Sequence, residues 1–112
     1  MLRIEPRRNP NRLEGGRAMI KNLEQLNVQE LNYLSAMIDS DLAESASDLF
    51  PDQPNNRNAI TEQIGQWAVN RKTVLEFRAE NRLDLAEIFT KVCYRIWQQL
   101  PEYARCVRVR VG

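Results

Sequence analysis

The chain has 112 residues, 43% hydrophobic and 28% charged, with a formal net charge of +1. That length allows one domain with a modest core, in the range where dimerisation often adds stability, and the composition excludes disorder throughout. Apolar runs are too short to span a bilayer, no signal peptide follows the basic start, and the absence of histidine removes the commonest metal ligand and general acid–base group.

The near-neutral total hides a segregation of charge. Residues 22–56 hold seven acids and no Lys or Arg; residues 1–21 hold six bases against two acids, and residues 92–112 four bases against one. An acidic middle between basic ends can attract a second copy of the chain or partners of either sign.

Residues 1–18 contain Pro6, Pro10, Gly15, Gly16 and five arginines, the composition of a flexible basic tail. Glu14-Gly15-Gly16-Arg17 before Ala18-Met19 has a second reading. Purine-rich codons ahead of a methionine match a translated ribosome-binding site, with Met19 as the start. Either way residues 19–112 are expected to form a single helical domain.

Asn27 and Glu30 form a capping-box pattern, and Leu26 and Leu31 a hydrophobic staple, which predicts a helix start. The stripe Leu31, Leu34, Ile38, Leu42, Ala46, Leu49 predicts one helix with one buried face, stopped at Phe50-Pro51. Its acids, Glu30 among them, are expected on the outer side. After the loop Asp52–Asn56, Asn58 is a candidate cap for a second helix with stripe Ile60, Ile64, Trp67, Val74, Phe77. Gly65 either weakens that helix or lets another backbone approach. Asn81 and Asp84 offer a new helix start and so a break near Asn81, with one continuous helix from Asn58 to Gln99 as the alternative; the third stripe is Leu85, Ile88, Phe89, Val92, Ile96, Leu100, ended at Pro101. Residues 105–111, Arg-Cys-Val-Arg-Val-Arg-Val, carry an alternation of valine and arginine, a strand pattern that needs a pairing partner: Leu2-Arg3-Ile4, a second copy, or another protein. The expected fold is mostly α: a three-helix antiparallel bundle with a short C-terminal β-strand.

Chemistry is sparse. Cys93 and Cys106 lack metal-ligand spacing and read as reduced thiols in a cytoplasmic protein. Ser35, Ser40, Ser45 and Ser47 have no base to activate them. Asp41, Glu44 and Asp48 follow helical spacing, but no calcium-loop pattern surrounds them. They form a solvated face or a docking face. Arg105, Arg108 and Arg110 are a solvated strand face, a grip for an acidic protein surface, or a phosphate grip. Trp67 and Trp97 belong to core stripes, with a partner-facing role second.

Ile60-Thr61-Glu62-Gln63-Ile64-Gly65-Gln66-Trp67-Ala68-Val69-Asn70-Arg71 resembles a stretch of small helical adaptor domains in bacterial signalling and conflict proteins. The resemblance implies an adaptor but carries over no functional residue.

The function expected is therefore non-enzymatic: an interaction or regulatory protein acting through an acidic first helix and a basic C-terminal strand, self-associating as a homodimer, with no cofactor, metal, membrane or small-molecule substrate. The alternative is nucleic-acid binding through the arginine-rich tail and strand, with affinity that falls steeply with salt.

Overall fold

The computed structural model describes residues 2–5 and 17–111, with side chains described for residues 20–107. The fold is mostly helical. The described elements are strands β1 (Leu2–Glu5) and β2 (Arg17–Asn22), helices α1 (Val28–Ser40), α2 (Leu42–Leu49), α3 (Arg57–Ala79) and α4 (Leu83–Gln99), and strand β3 (Cys106–Val111). Short 3-10 turns, Leu23–Gln25 and Glu102–Arg105, connect the sheet to the helices.

The expected first helix is two helices, so the described helices number four rather than three. Asp41 has an extended backbone, and its Oδ1 accepts a 3.0 Å hydrogen bond from the Glu44 amide as the N-cap of α2. Ser45 Oγ reaches back across the break to donate to the Met37 carbonyl at 2.9 Å. The apolar stripe survives the break because Ala46 and Leu49 remain buried beside Leu34 and Ile38.

The start of α1 is as expected. Asn27 Oδ1 accepts from the Glu30 amide at 2.8 Å, and Glu30 Oε1 accepts from the Asn27 amide at 3.0 Å. Glu30 itself is not on the outer side: it is 3% exposed. Its carboxylate is held by this box and by Lys21 Nζ of β2 at 3.4 Å, the pairing that a buried charge requires.

The long helices are antiparallel, and α3 is the central one. Against α1, Gly65 lies under Ile38 and Lys72 Nζ donates to Asn32 Oδ1. Against α4, Phe77 meets Phe89, Trp67 meets Trp97, and Gln63 donates to Gln99. A Cβ at Gly65 would lie 3.1 Å from Ile38 Cγ2, so the glycine serves the close approach and not a weakening. α3 begins at Arg57, one residue before the expected cap Asn58, and Asn56 makes no side-chain cap.

The break at Asn81 occurs by C-capping. Asn81 has φ 59°, its amide bonds the Arg78 carbonyl, and the Arg82 amide bonds the Phe77 carbonyl at 2.8 Å. This is the paired 5→2 and 6→1 arrangement that ends helices at a left-handed residue.

β3 is the middle strand of the described sheet, antiparallel to β1 on one side and β2 on the other. Leu2-Arg3-Ile4 therefore pairs as the sequence allows, and Arg17–Asn22 pairs along the other edge. Both backbone edges of β3 are taken within the chain, so the strand needs no second copy. Residues 6–16 of the expected tail lie outside the described residues. The sheet and helices share one core: Leu23, Leu26, Leu100, Ala104 and Val107 join Leu31, Leu34, Ile64, Trp67 and Val74. Phe50, just after α2, meets Tyr103 edge-on at 5.6 Å and ties the helical layer to the turn before β3.

Candidate interaction surface

The expected site residues do not come together as one surface. Asp41 is exposed, but its carboxylate is used as the α2 cap. Glu44 is exposed on α2, and Asp48 is half-buried. Asp41, Glu44 and Asp48 keep their helical spacing along one side of α2 and its cap, and Asp39 at the end of α1 extends them into an acidic corner at the joint.

Arg105 precedes β3. Its guanidinium lies 5.1 Å from the Trp97 ring centroid, and its Nη2 donates to the Trp97 carbonyl at 2.9 Å. It is committed within the molecule. Arg108 stands opposite Glu5 and Ile20, and Arg110 opposite Arg3 and Ala18; their side chains lie outside the described residues. Trp67, 2% exposed, is a core residue with no surface to offer. Trp97 is half-buried between the Trp67 ring, at 5.3 Å, and Arg105.

Cys93 is buried, with Sγ 4.0 Å from the Trp67 carbonyl. Burial pushes its thiol up to about 11, against a smaller lowering by Arg71. A thiol this basic is protonated at neutral pH and a poor nucleophile. Among the described residues no group of three or more His, Cys, Asp or Glu side chains converges as a metal site, and no helix is long and apolar enough to cross a membrane.

The surface that stands out was not singled out from sequence. α4 meets α3 through the side that carries Ala86, Cys93, Phe89 and Trp97, and only Ala86 and Cys93 are fully buried along it. Leu85, Ile88 and Val92 miss the core. Ile88 is 56% exposed, and Leu83 and Tyr94, on another side of the helix, are 61% and 62% exposed. At about 100° per residue, Leu85, Ile88 and Val92 fall within roughly 60° of arc, a ridge turned somewhat more than a quarter-circle from the face that α3 covers; Ile96, on its inner border, packs against the core. Apolar spacing of i, i+3, i+7 and i+11 identified the helix but could not say which part of the stripe α3 would take.

An open groove of about 730 Å³ lies between α1 and α3. Asn32, Ser35, Asp39, Glu62, Gln66 and Asn70 are among its lining residues. Ile38, Leu42 and Val69 line it as well, and it is wide open rather than the enclosed cleft that buries a small ligand.

Comparison with known proteins adds no relative: no family model, no curated protein and no solved structure matches the chain.

Proposed function

We propose that this chain is a small non-enzymatic, adaptor-like interaction protein that self-associates and works by presenting surfaces. The observation that carries the reading is the open apolar ridge of α4. Three large aliphatic side chains sit outside the core on a helix whose other side is well packed. Ile88 is 56% exposed and Leu85 and Val92 are half-buried, so covering each recovers only part of the roughly 1.5–3 kcal/mol of a full burial, and a helix presenting such a ridge fits the helix-in-groove or helix-pair mode of recognition.

The acidic corner of Asp39, Asp41 and Glu44 and the Arg108/Arg110 strand belong to the same proposal as surfaces of opposite sign that steer association. A cytoplasmic setting also belongs to it, since two thiols without a disulfide framework suit a reducing compartment.

Light scattering of the full chain over a wide concentration range, at low and high salt, tests this reading. A mass that rises with concentration is expected. A mass that stays at 13.1 kDa at every concentration and salt would remove self-association from the proposal.

A further inference from the structure

We propose that the α4 ridge is covered by α4 of a second copy, packed antiparallel about a two-fold axis level with Thr90. This rests on the self-association reading and names its interface.

Two charges flank the ridge. Asp84 and Arg95 are both exposed, and neither has an ion-pair partner among the described residues. They are eleven residues apart, three helical turns plus about 20°, so they lie along the same flank of α4, one near each end. Ile88 and Val92 lie beside them on the ridge. In an antiparallel pair, the same flanks of the two helices face each other. Setting Ile88 level with Val92 of the second copy puts Asp84 within one residue, about 1.5 Å along the axis, of the level of Arg95 of that copy. A two-fold axis makes the contact twice, because an isologous interface repeats every contact reciprocally.

The parallel alternative fails on the same charges. It would put the two Asp84–Arg95 flanks on opposite sides of the seam, where neither charge meets one of opposite sign from the other copy. The exposed Glu87–Lys91 pair, 3.9 Å apart within the helix, leaves both directions equally served and so does not decide between them.

The extent of the ridge sets the strength. One helix pair of about three turns covers less than the roughly 800 Å² per partner of a standard interface. The dimer is therefore weak and concentration-dependent, and exchanges with monomer.

Sedimentation velocity of the full chain from about 10 to 500 μM tests the pairing, with circular dichroism confirming helicity. Asp84→Arg and Arg95→Asp should each weaken the dimer at least about tenfold, and the double exchange Asp84→Arg/Arg95→Asp should restore it to within about threefold. Ile88→Glu, at an exposed position that does not test the core, should abolish it. Single exchanges that weaken the dimer without rescue by the double would overturn the antiparallel register. A wild-type dimer indifferent to all four variants would overturn the α4 interface and leave self-association standing. A wild-type chain monomeric throughout would overturn both.

Discussion

A single carboxylate divides the acidic segment into two helices. Asp41 ends α1 and caps α2 through the Glu44 amide, and Ser45 closes the joint on Met37. Asp41→Ala should lower stability by about 1 kcal/mol, the usual loss for an N-cap, whereas Asp39→Ala, exposed and uncapping, should change it by less than about 0.5 kcal/mol; urea denaturation of both variants checks this. Cys93 makes a different prediction. An unfolded thiol at the ordinary value of 9.0 and a folded one raised to about 11 both keep their proton at neutral pH, so stability is undiminished below about 9. Between 9 and 11 the unfolded chain loses the proton while the folded chain retains it, and unfolding gains. The stability of the wild type should therefore fall by on the order of 2 kcal/mol more than that of Cys93→Ala over this window, read from urea midpoints at stepped pH. Equal slopes for the two proteins would show that burial does not hold the thiol protonated.

At the scale of elements, the crossing of α1 over α3 depends on Gly65. Alanine there gains roughly 1 kcal/mol of helix propensity but must push Ile38 Cγ2 back from 3.1 Å, and Ile38 is β-branched and stiff in a helix. Gly65→Ala should come out within about 1 kcal/mol of wild type. Gly65→Leu cannot be absorbed in this way and should cost about 2 kcal/mol or more, visible as a fall in thermal midpoint. Local chemistry of this kind was legible in the sequence. The Asn27–Glu30 box rests on residues within one turn; at Gly65 and at Asn81 the sequence left two readings each, and the packing of Ile38 and the left-handed cap at Asn81 decide between them. The Asp41–Glu44 cap had the same spacing as Asn27–Glu30 but was hidden, because the apolar stripe runs through it without losing step. The pairing of Arg17–Asn22 with β3 was not legible. Arg17-Ala18-Met19-Ile20-Lys21-Asn22 has no strict alternation, and its partner lies some ninety residues away in the chain. Burial of Glu30 was missed for the same reason, since its Lys21 partner arrives with that strand.

For the whole molecule, the decisive relation is between α4 and what it leaves open. Periodicity located every residue of the ridge, yet a stripe that marks a helix does not state how much of it the fold will cover. α3 uses the small-residue side at Ala86 and Cys93, and the large aliphatics beside it remain partly in water. β3, for which the sequence left an internal strand, a second copy or another protein as partner, is paired on both sides within the chain. In the proposed dimer the apolar ridge, not the strand edge, is the surface on which association turns. The most direct test is a concentration series of amide shifts by two-dimensional NMR on the full chain. The account predicts shifts that grow with concentration and cluster on α4 between Leu83 and Gln99, centred on Ile88 and Val92. Shifts that cluster on the sheet or the acidic corner, or spectra unchanged by concentration, would contradict it.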